Sequence, residues 1–284
     1  MKKAIFGDNQ FFGVNHSSDE KSRAQAIRFK DNKAILDVLD IAIEEGIDTF
    51  MCTTHDRIAE ICKTIKDNPK YKDFKIYPCM PYAHKYANAV TELGIMGTIK
   101  QYVPGNIFST VAKGGLAFVK KDFISMMELM IDAELKMFKG ISTPVIFLQN
   151  VITDMLLGLG MTDFLVGFYD HIKEKHGVEA GFITMNLPLL LDTLEGAGIK
   201  NPIVCASINK AGFRMSGSVE AYEKVIAQKR CRLIAMQVFA AGVLPPKEAL
   251  EYVCKLDGVD SILFGASSRG NIKQSKLLID TLSN

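Results

Sequence analysis

A chain of 284 residues, 48% hydrophobic and 23% charged, holds enough apolar side chains for one large core, which excludes disorder and collagen-like repeats. With 34 Lys and Arg against 32 Asp and Glu, the net charge is +2, so the sequence offers no broad electrostatic footprint for nucleic acid or a membrane surface. No run reaches the roughly 18–20 apolar residues of a membrane span.

Two lysines open the chain, but Asp8 interrupts before a signal-peptide core forms. Short β-branched and apolar runs then alternate with helix-period stretches. Strands are expected at 4–7, 49–52, 75–79, 145–148, 181–185, 203–207, 233–237 and 261–264. The run Val145-Ile146-Phe147-Leu148 is continuous rather than alternating, as a parallel strand buried on both faces requires. Between the first two runs, 33–45 places Ile35, Leu36, Val38, Leu39, Ile41, Ala42 and Ile43 broadly at helical spacing, and Gly46 stops it. Asp56 is the expected cap of the next helix, whose apolar face is Ile58, Ile61, Cys62 and Ile65. Helices are also expected at 163–175, 218–228, 247–256 and 267–282.

The third and fourth strands are separated by about 70 residues, far more than the others. Turn signals at Pro104-Gly105 and Gly114-Gly115 and an apolar helix at 123–138 define an insertion over 97–140. It is expected to form a lid, or else extra helical packing or an oligomer contact. Eight strands with right-handed crossovers predict an α/β fold, a single-domain (β/α)8 TIM barrel over 1–284 with a helical insertion between strands 3 and 4. An open doubly wound sheet would usually carry a Gly-rich loop after its first strand, where Gly7-Asp8-Asn9-Gln10 stands instead. Six cysteines, at 52, 62, 79, 205, 231 and 254, include no C-x-x-C pair. That usage indicates a reduced protein and a cytoplasmic location.

In such a barrel, chemistry sits at the C-terminal ends of the strands. Those ends supply Asp8, Asn9 and His16 after strand one, and His55, Asp56 and Arg57 after strand two. His84 and Lys85 follow strand three, Asn150 strand four, Asn186 strand five, and Asn209 and Lys210 strand six. His55, flanked by Asp56 and Arg57, is the leading acid/base candidate. Asp56, His84, Lys85 and Lys210 complete the catalytic candidates. Asp8, Asn9, His16, Arg57, Asn150, Asn186 and Asn209 are the expected substrate contacts. The histidines 16, 55 and 84, with Asp8 or Asp56, are also candidate ligands for a divalent metal, although no short motif links them. Lys210 would be a Schiff-base nucleophile if turned inward, and otherwise reaches solvent or a substrate anion. His171 and His176 are assigned to a polar surface, and Cys52 and Cys79 to packing. Gly265, Ser267, Ser268, Arg269 and Asn271 combine small residues, a helix start and a cation, the makings of an anion cradle.

The segment IAMQVFAAGVLPPKEALEYVCKLDGVDSILFGASSRGNI within 233–280 resembles the last two strand–helix units of the aldo-keto reductase superfamily. AGFITMNLPLLLDTLEGAGIKNPIVCASINKAG is similar to its fifth and sixth units, with Asn186 and Asn209 at corresponding places. FGDNQFFG and AIEEGIDTFMCTTHDRI are similar more loosely. The resemblance implies the barrel and a nicotinamide cofactor whose adenosine-side phosphate contacts 267–271. The family's tetrad is Asp after strand two, Tyr in the next loop, Lys ending strand three and His ending strand four. The corresponding places here hold Met51-Cys52-Thr53, His55, Cys79-Met80 and Gln149-Asn150.

Conventional carbonyl reduction is therefore not implied. The sequence reads as a barrel enzyme that acts on a small, anionic metabolite with His-based acid/base chemistry. The alternatives are a metal-dependent or Schiff-base lyase or isomerase, and a non-catalytic ligand-binding barrel. No nucleic-acid or membrane partner is expected.

Overall fold

Parallel strands covered by helices on one face and by each other's side chains on the other must be apolar throughout, and the strands here are. In the computed structural model, which describes residues 3–14, 18–82 and 116–283, eight strands pair in chain order and β8 closes on β1. They are β1 Lys3–Gly7, β2 Thr49–Thr53, β3 Lys75–Met80, β4 Val145–Leu148, β5 Glu179–Thr184, β6 Ile203–Ser207, β7 Arg232–Met236 and β8 Val259–Phe264. Every pairing is parallel. The expected (β/α)8 barrel is the observed fold, and the open-sheet alternative is excluded by the closure.

Alternate residues along each strand face opposite ways. One set, which includes Ile5, Met51, Cys79, Phe147, Ile183, Cys205 and Ile234, fills the barrel interior. The other, including Phe6, Phe50, Ile76, Phe182, Val204 and Ile262, packs under the helices. Phe147 stands directly opposite Gly181 in the β4–β5 register. A Cβ at Gly181 would lie 2.4 Å from the Phe147 ring, so glycine there makes room for the aromatic that plugs the barrel.

Ten helices are present among the described residues: α1 Asp19–Arg28, α2 Asn32–Glu44, α3 Asp56–Lys66, α4 Leu116–Leu135, α5 Asn150–Gly158, α6 Thr162–His171, α7 Leu187–Gly196, α8 Val219–Ala227, α9 Pro246–Lys255 and α10 Arg269–Leu282. Side-chain oxygens of Ser18, Asp31, Ser218 and Ser268 cap α1, α2, α8 and α10. The cap of α3 is a correction. His55, not Asp56, accepts the Arg57 amide at 3.1 Å, and Asp56 is the first helical residue, where its carboxylate meets the positive end of the helix dipole.

The described part of the insertion is α4 and a 3-10 turn, Lys136–Phe138. The helix starts earlier than the apolar run at 123–138 indicates. It packs against α6 and β3. Positions 97–115 of the insertion lie outside the described residues. None of the six cysteines is in a disulfide. Among the described residues no helix is long and apolar enough to cross a membrane.

Gly181→Ala is expected to destabilise the protein by about 1–3 kcal/mol through overpacking, measured by urea unfolding. Phe147→Leu in the same chain should recover part of that loss.

Candidate active site at the barrel mouth

With the interior filled, polar groups collect where the strands end. Asp8 follows β1 and is buried, accepting hydrogen bonds from the Thr53 backbone N–H at 2.8 Å and its hydroxyl at 2.7 Å. Burial raises its carboxyl above the usual range, and the two Thr53 hydrogen bonds, which favour the charged form, only partly oppose this. Burial also pushes the nearby Cys52 and Cys79 thiols well up, and Asp8 adds to this. Neither supplies a thiolate.

His55 follows β2. Its ring stacks on Phe12, with centroids 4.3 Å apart and planes 21° from parallel, and lies 5.7 Å from the Tyr82 ring. Phe12 reaches it because a 3-10 turn, Asn9–Phe12, follows β1 directly. Capping α3 has a chemical consequence. Nδ1 accepts the Arg57 amide proton, so in the neutral ring the proton sits on Nε2. Burial lowers the imidazole below its ordinary 6.5, opposed by Asp56 and assisted by Arg57. His55 is thus a neutral Nε2–H donor at physiological pH.

Tyr82 comes two residues beyond β3, after a cis Met80–Pro81 bond. Its backbone N–H donates to both carboxylate oxygens of Glu134, at 3.2 Å each, and the Thr54 hydroxyl donates to the same carboxylate. Glu134, on α4, is buried. It holds the loops after β2 and β3 together, and with them the segments that carry His55 and Tyr82. Burial pushes the Tyr82 phenol up, with Asp8 and Asp56 adding to the shift.

The far rim is built similarly. Ser207, ending β6, donates to Gln237 Oε1 at 2.7 Å. The Tyr222 hydroxyl donates to the Met185 carbonyl at 2.5 Å and accepts from the Leu187 N–H at 3.1 Å.

The structure separates the sequence candidates. Asp8 and His55 with its neighbours follow adjacent strands at the mouth, where Thr53, Tyr82 and Glu134 join them. His16, His84 and Lys85 lie outside the described residues, so only His55 of the expected metal trio is placed. Lys210 does not turn inward: it is exposed and pairs with Glu248 at 2.8 Å, which raises rather than lowers its pKa. A Schiff-base role needs the opposite environment.

Arg57 turns to Asn32 at the start of α2, with Nε donating at 2.8 Å, while its Nη2 is buried without a hydrogen-bond partner. Asn209 exchanges two hydrogen bonds with the Phe213 backbone, at 2.9 and 2.8 Å, and closes its own loop. Asn186 caps α7, Asn150 opens α5, and Asn9 is exposed at the start of its 3-10 turn. His171 and His176 are the clearest correction. His171 is not on the surface but buried, His176 is half-buried, and both bond Asp132. The residues that were missed have different explanations. Tyr82 followed a strand end visibly. Glu134 carried no signal, since 80 residues separate it from Thr54.

Solved structures share this architecture from end to end. A protein from Pseudomonas aeruginosa assigned to the aldo-keto reductases superposes with a TM-score of 0.60 at 11% identity, over 99% of this chain and 90% of its own. An aldose reductase from Giardia lamblia gives 0.55 at 10% identity, over 100% and 91%. The holo form of an aldo-keto reductase from Bacillus halodurans gives 0.50 at 12%, over 98% and 86%.

The fold is that of the aldo-keto reductases. No protein-family model and no curated protein matches the sequence, so the likeness is one of architecture.

On the aldo-keto reductase barrel the 265–271 loop is where the sequence resemblance places a nicotinamide cofactor's phosphate. Several groups there are already engaged within the chain. Arg269 pairs with Glu44 at 2.7 Å and approaches Glu45 at 3.8 Å. Arg28 donates to the Ser267 carbonyl, and the Ser268 hydroxyl accepts the Asn271 amide at 3.3 Å. The space a Cβ would take at Gly265 is filled by Gln10, whose Oε1 would lie 2.1 Å away. This arrangement does not fit a bound phosphate.

The two pKa shifts act oppositely on stability. Asp8, raised from 3.8, contributes stability that is full below 3.8 and is lost as pH rises through its folded pKa. His55, lowered from 6.5, contributes stability that is full above 6.5 and is lost as pH falls through its folded pKa. Asp8→Asn is therefore expected to be more stable than the parent at pH 7 and no more stable at pH 3.5, by urea unfolding. Nitrogen-15 imidazole spectra should show His55 as the Nε2–H tautomer, with a midpoint below 6.5.

Proposed function

We propose that the barrel mouth is an enzyme active site in which neutral groups donate hydrogen bonds to an oxygen of a small, anionic metabolite. The observation that carries this reading is the state of His55. Its tautomer is fixed by the Arg57 amide, its face is held on Phe12, and burial keeps it uncharged.

A neutral Nε2–H donates to a substrate oxygen without first losing an ion pair, and it strengthens that bond as negative charge develops there. Tyr82, kept protonated, supplies a second donor beside it. The substrate class this suits is a carbonyl compound whose oxygen gains charge in the transition state. The buried, unpartnered Nη2 of Arg57, two residues from His55, supports an anionic substrate group. Glu134 and Thr53 are positioning residues: the first fixes Thr54 and Tyr82, the second holds Asp8.

The test is turnover of a panel of small aldehydes and keto acids, with and without NADPH. His55→Asn keeps an oxygen to cap α3 but removes the proton donor. It is expected to lower kcat/KM by about 10²–10⁴-fold while leaving Tm nearly unchanged. Arg57→Ala should raise KM for keto acids more than for neutral aldehydes. Parental turnover in His55→Asn would overturn the assignment. Binding of panel compounds without turnover would favour a ligand-binding barrel.

A further inference from the structure

Outside the strand barrel, between α4 and α6, Asp132, His171 and His176 converge in a way the mouth does not require. The Nε2 atoms of both imidazoles approach one oxygen, Asp132 Oδ1, at 3.0 and 2.8 Å. The three donor atoms lie within 4.8 Å of one another. We propose that these three side chains bind a divalent transition-metal ion, Zn²⁺ by the chemistry of the donors, at a site that clamps α4 to α6.

Two imidazoles and a carboxylate are a donor set that suits Zn²⁺. Bonds of 2.0–2.2 Å in a tetrahedral site put ligand atoms about 3.4 Å apart. The Asp132 oxygen therefore needs only to open by a few tenths of an ångström from each imidazole. The fourth position is left to water.

The surroundings are those of a metal-bound histidine. His171 Nδ1 faces Glu128 Oε1 at 3.7 Å, so both ring nitrogens of a buried imidazole look at carboxylates. With a single proton, one of those nitrogens presents a lone pair to a carboxylate. A metal on Nε2 and a proton on Nδ1, turned toward Glu128, resolve this, as an outer carboxylate does for metal-ligating histidines.

Lys175 occupies the other oxygen of Asp132, with Nζ at 2.5 Å. It opposes a cation electrostatically, but it is more than half exposed and leaves Oδ1 free for monodentate binding.

The backbone is arranged to the same end. Glu128 and Asp132 are one turn apart on α4 and share a face. A π-turn, Ile172–His176, extends α6 and brings residues five apart, His171 and His176, to one side, with Gly177 ending it at φ +66°. Gly167, one turn before His171, lets α4 approach: a Cβ there would sit 3.2 Å from Ile124.

The test uses the full chain after EDTA treatment and dialysis, titrated with ZnCl2, and with CoCl2 as a spectroscopic probe. One Zn²⁺ per chain is expected, with Tm rising about 5 °C at a hundredfold excess over Kd. Co²⁺ should give the visible absorption of a tetrahedral nitrogen–oxygen site. His176→Gln, a partly exposed position that should not disturb folding, is expected to weaken Zn²⁺ roughly 100-fold or more. Glu128→Gln should weaken it about 10–100-fold, and Cys254→Ser should leave it unchanged. The proposal fails if the parent takes up no stoichiometric Zn²⁺, if His176→Gln binds as tightly as the parent, or if Cys254→Ser abolishes uptake.

Discussion

A barrel of eight short strands whose interior is filled has no room inside for chemistry. The Phe147 ring lies over Gly181 and the flanking apolar residues close the rest. Polar side chains that follow the strands are therefore crowded onto a rim that is neither core nor solvent. Desolvation is the largest influence on the ionisable groups there. It raises Asp8, Cys52, Cys79 and Tyr82 and lowers His55. Each shift favours the uncharged form.

One helix links this mouth to the barrel's outer layer. Glu134 of α4 receives Thr54 and Tyr82, while Asp132, two residues earlier, receives His171 and His176. Residues two apart on a helix point about 200° apart, so α4 presents one carboxylate to the mouth and another to α6. A buried carboxylate is tolerated only where hydrogen bonds satisfy it. These partners therefore fix both the position and the rotation of α4.

The strands were legible because burial on both faces leaves a continuous apolar run, as in Val145–Leu148, and the barrel follows from their number and spacing. α1 was not legible. It is polar all round with no buried residue, and is held by its Ser18 cap and the acidic Asp19 and Glu20 at its start. Placing His55 at a strand end was possible from sequence; its role as the helix cap was not, because either neighbour offers an acceptor. Lys210 and Arg269 are cations that the sequence offers to a bound anion, but each meets a carboxylate on a helix, Glu248 and Glu44. His171 and His176 lay in a stretch that is polar by count, and only the π-turn gathers them. Long-range partners such as Glu134 leave no local periodicity to read.

Burial also sets this mouth apart from the tetrad of the family that the sequence resembles. A tyrosine that gives up its proton readily needs a nearby cation to lower its pKa, whereas burial and the Asp8 and Asp56 carboxylates push Tyr82 the other way. Tyr82 is thus kept protonated, and the helix amide at Nδ1 settles which nitrogen of the His55 ring holds its proton. Backbone geometry at the start of α3 thereby sets the direction in which a proton can be offered. A change that kept the ring but altered that first helical turn would leave the tautomer unfixed.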